Sequence, residues 1–253
     1  MGTLLREWRR RRRLSQLDLS NEAGVSTRHL SFVETGRAKP SREMVLHLAE
    51  RLEVPRRERN HLLVAAGFAP AFHQRGLEDP EMVVVRAAID LVLAGYEPFP
   101  AVAVDRRWCL VAGNRSVGLL TEGVAADLLE PPANVLRLSL HPDGMAPRIA
   151  NLAEWRGHLL HRLAREADIA GDPDLAALHE ELLAYPGGLD PAPANAIAVP
   201  LRIRHGADEL VFLSTVTTFG TAIDITVAEL SIEAFLPADP STAEAVAALA
   251  ASR

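Results

Sequence analysis

Apolar residues in the first 67 positions recur at the spacing of amphipathic helices, and capping or turn residues separate one run from the next. Ser15 and Ser26 are suitable N-caps, while Gly24, Gly36 and Gly67 each follow a helical run. The pattern predicts five short helices, over residues 3–14, 16–23, 27–35, 41–53 and 56–66. Short helices joined by short loops predict a small all-α bundle.

The pattern changes after residues 69–80, a segment rich in proline, glycine and polar side chains that is predicted to be a linker. A helix is predicted over 81–96. Strands over 101–104 and 108–112 are separated by a tight turn, which predicts a β-hairpin. Asn114 is then expected to cap a short helix.

Helical spacing returns between residues 131 and 185, with helices predicted over 152–167 and 174–185. Three strands are predicted after it, over 196–205, 209–218 and 222–237. Two strands, several helices and three strands in this order predict an α+β domain with an antiparallel sheet. The predicted domains are 1–70 and 83–240, joined by a linker over 71–82 and followed by a C-terminal helix or tail over 241–253.

Charge divides the chain in the same way. Residues 1–70 contain 14 Arg and Lys against 8 Asp and Glu, a net charge of +6, whereas residues 71–253 carry −12. A basic module joined to an acidic one fits contact with nucleic acid at one end only. With 48% hydrophobic residues, the chain can form globular cores. It contains no apolar run long enough for a membrane span and no signal peptide, so the cytoplasm is expected.

Residues 16–33, QLDLSNEAGVSTRHLSFV, carry the pattern of a helix-turn-helix. Two short helices need a small residue where they cross, a glycine at the turn and apolar side chains that lock the second helix. These roles fall to Ser20, Gly24, Val25, Leu30 and Val33. The spacing predicts that the second helix lies in the major groove of DNA.

The first turn of that second helix projects side chains toward base edges, and Arg28 could bond both acceptors of a guanine. Gln16 and the cations after the helix suit backbone phosphates, as does part of the arginine run 9–13. The candidate DNA-binding residues are Gln16, Ser26, Thr27, Arg28, His29, Ser31, Arg37 and Lys39. The alternative is a structural helical hairpin with a solvated arginine face, which the complete motif disfavours.

The first 67 residues also resemble a known family. SQLDLS, AGVS, LSFVETGRAKPS and LAERLEVP are similar to the phage-repressor-like helix-turn-helix regulators, often called the xenobiotic-response-element family. The resemblance spans about residues 3–67. It implies a five-helix domain that binds an operator in double-stranded DNA.

A second resemblance covers about residues 83–240. DRRWCLVAGN, NVLRLSLHPDGMAPRIANLAEW and FLSTVTTFGTAIDITVAELSIEAFLP resemble the ligand-binding domain of the MmyB-like transcription regulators. This resemblance implies a PAS-like fold whose sheet and helices enclose a pocket able to hold a long-chain fatty acid. That ligand class comes from the resemblance and not from composition or spacing.

A ligand of this kind needs an apolar tunnel and a cation or N–H donors at its mouth. Arg148 is the candidate carboxylate anchor, assisted by Asn151 or His141. Candidate apolar walls are Trp108, Leu110, Leu136, Leu140, Trp155, Phe212 and Phe219. The alternatives stay open: each wall residue could be ordinary core, and Arg148 could form a structural salt bridge with an acidic residue such as Asp143.

Enzymatic or metal chemistry has little support in the sequence. No nucleophile–base constellation stands out, and no cofactor is expected. His158 and His161 are three apart on a predicted helix, a spacing more often solvated or packed than metal-binding. The single cysteine, Cys109, excludes an intramolecular disulfide and a Cys-based zinc site, and is interpreted as a core residue.

These observations predict a transcription regulator that binds a pseudo-palindromic operator as a homodimer and has no membrane partner. The second domain is expected to sense a small hydrophobic molecule, with a fatty acid as the class that the resemblance implies. The alternative is a second domain that serves only dimerisation or protein interaction, with a solid core and no ligand.

Overall fold

The structure of the protein is a computed structural model that describes residues 1–190 and 197–251. The chain divides into two compact units. The first contains Met1–Arg75 with two short later segments, Asp168–Gly171 and Ile223–Ile225, and the second contains the rest of the described chain. No helix within the described ranges is long and apolar enough to cross a membrane.

Residues 1–75 form five helices, as predicted. Their bounds are Gly2–Arg11 (α1), Gln16–Glu22 (α2), Thr27–Glu34 (α3), Arg42–Arg51 (α4) and Arg56–Ala65 (α5). The hydroxyl groups of Ser15, Ser26 and Ser41 each accept a backbone N–H in the first turn of α2, α3 and α4. α1 ends at Arg11 and not at residue 14, because Arg13 adopts the left-handed backbone conformation with a φ of 55°.

The core of this bundle is built from the helical stripes that the sequence indicated. Its largest fully buried side chains are leucines from all five helices and from the end of α4. They are Leu5, Leu19, Leu30, Leu48, Leu52, Leu62 and Leu63. Trp8 and Val33 complete the packing between α1 and α3. The apolar side of α3 therefore faces the core and fixes which side of that helix meets solvent.

The second unit contains an antiparallel sheet with five strands among its described residues. The strands are Ala101–Val104 (β1), Leu110–Gly113 (β2), Leu201–His205 (β3), Asp208–Thr218 (β4) and Ser231–Pro237 (β5). Their spatial order is β2-β1-β5-β4-β3, and every neighbouring pair is antiparallel. The prediction of an α+β unit with an antiparallel sheet is confirmed.

Helices surround this sheet in the order expected from the helical segments. They are Val83–Gly95 (α6), Val117–Leu120 (α7), Val135–Leu140 (α8), Leu152–Ala170 (α9), Pro173–Leu183 (α10), Ile225–Ala228 (α11) and Pro240–Ala251 (α12). Short 3-10 turns occur at Pro80–Met82, Ala126–Leu129 and Ala146–Arg148. The last two residues of the predicted C-terminal helix or tail, 252 and 253, lie outside the described residues.

The role predicted for Asn114 is wrong. Ser116 and not Asn114 precedes α7. The Asn114 side chain instead accepts the backbone N–H of Ala101 and donates to the carbonyls of Leu93 and Phe99, at 3.1, 3.2 and 2.8 Å. A side-chain amide can replace backbone partners where a helix meets a strand. Asn114 therefore joins the end of α6 to the start of β1.

Three predicted strands begin earlier than the observed ones. β2 starts at Leu110 and not at 108, because Trp108 has a φ of 64° and the register between β1 and β2 shifts at Val104. Within predicted strand 222–237, Ile225–Ala228 form a helical turn, since β propensity depends on packing more than on composition. In predicted strand 196–205, position 196 lies outside the described residues and the observed strand begins at Leu201.

The two faces of the sheet pack against different elements. Ala101 and Ala103 alternate with Val102 and Val104 on β1, and their partners Ile232 and Ala234 on β5 share their face. That face is covered by α6, through Ile89 and Leu93. The opposite face carries Val102, Leu201, Glu233 and Phe235 and meets α8 and α9 around a cavity.

Candidate DNA-binding surface and ligand cavity

The candidate DNA-binding residues lie on α2, on α3 and in the segment after α3. Ser26, Arg28, Arg37 and Lys39 are exposed, and Gln16, Thr27, His29 and Ser31 are half-buried. Leu30 and Val33 on the other side of α3 are buried. The helix thus presents an arginine-bearing side to solvent and an apolar side to the core.

Ser20 connects the two helices of the motif. Its hydroxyl lies 2.8 Å from that of Thr27, and it also donates to the carbonyl of Leu17 at 2.9 Å. Ser20 is 2% exposed, so it fills the small space where α2 and α3 cross. A serine is accommodated at this crossing because both of its hydrogen bonds are made internally. The hydroxyl of Thr27 contributes to this crossing.

Phe32 is a feature of the surface that the sequence analysis missed. Its ring lies 5.4 Å from the guanidinium carbon of Arg28 and 6.0 Å from that of Arg37. Cation–π contact limits the orientations of both arginines. The spacing of Arg28 and Phe32, four residues apart on a helix, is the signal that could have revealed the pair.

Glu34, at the end of α3, is the second missed feature. It accepts two hydrogen bonds from Arg9, at 2.7 and 2.9 Å, and one from the Gln16 amide at 2.7 Å. Burial alone would raise the pKa of Glu34, but the hydrogen bonds from Arg9 and Gln16 outweigh it and hold the pKa below its usual range. The three side chains tie α1, α2 and α3 together.

This network changes the interpretation of the arginine run. Arg9 is buried in the ion pair, so it is not available to phosphates. Arg12 donates to the carbonyls of Leu52 and Glu53, at 2.9 and 3.1 Å, and so binds the end of α4. The exposed members of the run are Arg10, Arg11 and Arg13.

In the second unit, a cavity of about 80 Å³ lies between the sheet and the helices α8 and α9. Four candidate ligand residues are on its wall: Trp108, Leu110, Leu136 and Trp155. Other wall residues include Val102, Leu138, Met145, Leu159 and Phe235. The wall is therefore mainly apolar, as a site for a hydrophobic molecule requires.

The other candidate ligand residues do not line this cavity. Leu140 and Phe212 are fully buried core residues. Phe219 packs on the opposite face of the sheet, with the cluster under α6. His141 contacts the ring of Tyr185 edge to face, with centroids 5.1 Å apart.

Arg148 and Asn151 have internal partners. Arg148 donates to the carbonyls of Leu119, Leu120 and Glu122, at 3.0, 3.2 and 2.8 Å. The Asn151 amide donates to the carbonyl of Pro200 at 2.9 Å and accepts the backbone N–H of Arg202 at 3.2 Å. Both side chains therefore connect backbone segments at the ends of elements.

A charged cluster borders the cavity, and the sequence analysis missed it. Glu233 is on the wall, 5% exposed, and its carboxylate is paired with Arg162 of α9. Arg162 also donates to Glu166 at 2.9 Å and lies 4.4 Å from the centre of the Trp108 ring. The indole N–H of Trp108 donates to Glu166 at 2.9 Å. In the sequence, the indication of this cluster was Glu233, a charged residue within the mostly apolar strand segment SIEAFLP.

Burial raises the pKa of Glu233, and the nearby Arg162 only partly offsets this effect. His158 lies beside Trp155, with ring centroids 5.7 Å apart, and burial lowers its pKa. Burial therefore favours the uncharged form of His158. Among the described residues, no group of three or more His, Cys, Asp or Glu could hold a metal ion. Burial raises the pKa of the Cys109 thiol and so favours its protonated form.

A larger cleft of about 590 Å³ is lined by α6, α7 and α12. None of the candidate ligand residues lines it. On its wall, Glu97 accepts from the Ser116 hydroxyl at 2.5 Å and from the Arg115 backbone N–H at 2.8 Å. The smaller cavity is the better candidate for a hydrophobic ligand because its wall is more apolar.

In a comparison with known proteins, two family models match two different parts of the chain. Residues 85–249 match the model of the MmyB-like transcription regulator ligand binding domain, and residues 1–62 match a helix-turn-helix domain model. A comparison with curated proteins finds no match. The first of these models covers more than half of the chain, and the second covers α1 to α4 and most of α5. The chain therefore belongs to the MmyB-like transcription regulators with an N-terminal helix-turn-helix domain.

Proposed function

We propose that this regulator binds a pseudo-palindromic operator as a homodimer and that its second unit senses a small hydrophobic ligand. The observation that carries the DNA part is the two-sided character of α3. Leu30 and Val33 fix one side in the core, while Arg28 is exposed on the other. An amphipathic helix held in this way is the element that helix-turn-helix proteins place in the major groove.

Within this interface we assign base contact to Arg28, with Thr27, His29 and Ser31 beside it. A bidentate contact to guanine discriminates by roughly 1–3 kcal/mol. Arg37 and Lys39 suit phosphates because they are exposed on the segment after α3. Gln16 and Ser26 lie at the first turns of α2 and α3, where backbone N–H groups favour anions.

A homodimer is proposed because one motif contacts few base pairs, and two half-sites multiply the affinity. The DNA proposal is tested by selecting bound fragments from genomic DNA at low salt and footprinting them. We expect a protected site with two related halves. Failure to retain any fragment at low ionic strength would contradict the proposal.

For the ligand we propose the cavity between the sheet and α8 and α9. Its volume of about 80 Å³ is well below the roughly 300–1,000 Å³ of common small-molecule sites. The family resemblance implies a long-chain fatty acid as a candidate, and a chain of that length can enter only if the walls move apart. Such movement would give the ligand-bound and ligand-free states different structures, as control by a ligand requires.

The sensing proposal is tested by native mass spectrometry of the purified protein before and after organic extraction. We expect a mass excess that extraction removes, together with a hydrophobic compound in the extract. If the mass equals that of the chain alone and hydrophobic additives do not bind, then the cavity does not serve as a sensor.

The alternative function, in which the second unit only mediates dimerisation, is favoured by one observation. α6 exposes Val84 and Leu91, at 73% and 76%, and Val83 at 55%. Exposed apolar side chains in a row on one helix are typical of an interaction surface. Dimerisation through α6 is compatible with a ligand site, because the cavity lies on the other face of the sheet.

A further inference from the structure

Phe32 is an aromatic residue on the same side of α3 as the exposed Arg28, four residues before it. The ring is half-buried. Among the described residues, the apolar side chains that pack on the core of the bundle include Val25 and Ala38 but not Phe32. Packing in the core therefore does not explain why a phenyl ring occupies this position.

The ring contacts two arginines. The guanidinium carbon of Arg28 lies 5.4 Å from the ring centre, and that of Arg37 lies 6.0 Å from it. The carbonyl of Phe32 also accepts the backbone N–H of Arg37 at 2.8 Å and that of Ala38 at 3.1 Å. Phe32 thus holds Arg37 through both backbone and side chain, and Arg28 through the side chain alone.

Both arginines keep their N–H groups available for DNA. Within residues 1–190 and 197–251, no acceptor is observed for the guanidinium of Arg28 or of Arg37. Contact with an aromatic ring uses the flat face of a guanidinium, whereas the N–H groups that bond to guanine or to phosphate lie in its plane. The contact with Phe32 is therefore compatible with a contact to DNA.

We infer that Phe32 is a positioning residue that orients Arg28 for a base and Arg37 for a phosphate, and so sets part of the operator specificity. An unrestrained arginine loses many rotamers when it binds, and this loss opposes binding. The ring removes part of the loss because it restricts both side chains before DNA is bound. The inference rests on the proposed DNA-binding function and adds a residue that acts through its neighbours.

The test compares Phe32→Leu, which removes the ring and keeps an apolar side chain, with Phe32→Tyr, which keeps a ring. Competition gel shifts with the full-length protein give the Kd for a selected operator fragment and for its variant at the base pair whose discrimination Arg28→Ala loses. We expect Phe32→Leu to lower the ratio of these two Kd values about two- to fivefold, as the loss of one exposed cation–π contact predicts. Phe32→Tyr should keep the wild-type ratio. An unchanged ratio in Phe32→Leu would overturn the inference and leave the DNA-binding function intact.

A double-mutant cycle separates positioning from a direct contact of the ring with DNA or from support of the helix. Phe32→Leu is introduced into the variant that combines Arg28→Ala with Arg37→Ala, and binding is measured at low salt, where phosphate contacts keep it detectable. We expect the Kd for the operator to change by less than about twofold in this background, because the side chains that the ring orients are gone. A loss of affinity as large as in the wild-type background would contradict the inference.

Phe72→Leu is the matched control. Phe72 makes the same kind of contact with Arg56 of α5, at 5.8 Å, outside the helix-turn-helix. This substitution should keep both the operator Kd and the discrimination ratio. If it lowers the ratio as much as Phe32→Leu does, the effect is general and the inference is wrong.

The remaining outcomes are decisive as well. If Phe32→Leu unfolds, as circular dichroism would show, side-chain NMR relaxation of the DNA-free wild type replaces it. The Nε–H groups of Arg28 and Arg37 should then move less on the picosecond to nanosecond timescale than that of Arg10, an exposed arginine of α1, and equal mobility would overturn the inference. If the wild type retains no DNA fragment, the DNA-binding function and the inference both fail.

Discussion

At the scale of single residues, the Arg9–Glu34 pair holds the DNA-binding motif together. Glu34 is 3% exposed and Arg9 is 9% exposed, so neither charge is solvated well. Such a pair contributes little net stability over an apolar pair, yet the loss of one partner leaves a buried charge uncompensated. Gln16 also bonds to Glu34, so the orientation of α2 depends on the same carboxylate.

Glu34→Gln is therefore expected to reduce the free energy of unfolding by about 3 kcal/mol. Urea unfolding followed by circular dichroism measures this change. Glu7→Gln is the matched control, since Glu7 is an exposed glutamate on α1, and it should change stability by less than about 0.5 kcal/mol. Equal effects of the two substitutions would contradict the structural role of Glu34.

The same pair predicts a dependence on pH. The pKa of Glu34 is lower in the folded protein than its usual value of 4.5. Its contribution to stability is thus fully present above pH 4.5 and disappears as the pH falls through the lower, folded pKa. We expect the wild type to lose stability more steeply than Glu34→Gln when the pH is lowered from 5 to 3. Parallel curves in thermal unfolding at these pH values would disprove this expectation.

The substitutions Arg28→Ala and Lys39→Ala are expected to affect DNA binding in different ways. Arg28→Ala should lose discrimination at one base pair, by roughly 1–3 kcal/mol, and retain salt-sensitive binding. Lys39→Ala should weaken binding to all sequences and lower the slope of log Kd against log salt by about one. Competition gel shifts with single-base operator variants separate the two effects. If Arg28→Ala keeps the sequence preference of the wild type, Arg28 does not contact a base.

At the scale of elements, what the sequence could predict depended on local interactions. Helices of the first unit were predictable because Ser15, Ser26 and Ser41 cap them through contacts three residues away. The antiparallel sheet followed from the tight turn between the first two predicted strands and from the order of strands and helices along the chain. Trp108 in a left-handed conformation was not predictable, since only packing selects that conformation for a large side chain.

The residues of the candidate ligand site were also predictable only where local sequence determined them. Four wall residues of the cavity could be named from motifs, but the Arg162–Glu233 pair joins residues 71 positions apart. Nothing local in either segment identifies the partner of the other. Arg148 was selected as an anchor because its sequence neighbours are apolar, whereas carbonyls from the α7 region surround it. Sequence context describes neighbours along the chain and not those across a fold.

α6 allows a test of dimerisation at the scale of one element. Leu91→Asp should shift the protein toward the monomer in analytical ultracentrifugation, because a charge on the exposed apolar side opposes its burial in an interface. The fold should be kept, since Leu91 is 76% exposed. Leu189→Asp is the control, at a leucine that is 53% exposed outside α6. If Leu91→Asp leaves the dimer unaffected, the exposed side of α6 is not the dimer interface.

At the scale of the whole molecule, the protein joins a unit of net positive charge to one of net negative charge. A ligand in the second unit regulates the first only if the two binding events are coupled, and such coupling is reciprocal. Saturation with the hydrophobic compound recovered by organic extraction is expected to change the Kd for a selected operator fragment by about fivefold or more. The operator should change the Kd for that compound by the same factor.

Fluorescence anisotropy of a labelled operator measures the first of these affinities, and calorimetry measures the second. Solvent carried through the same extraction without protein serves as the control. If the recovered compound binds while the operator Kd stays constant, the cavity is a binding site without regulatory effect. Changes that differ in size between the two directions would show that a further equilibrium contributes.

Trp108 has a practical consequence. Its indole lines the cavity, donates a hydrogen bond to Glu166 and stacks on Arg162, so it lies beside both the cavity and two charged side chains. Indole emission is sensitive to nearby charge and to the loss of water. Trp108 is therefore an intrinsic fluorescence reporter. A shift in its emission wavelength when a ligand fills the cavity would reveal occupancy without an added dye.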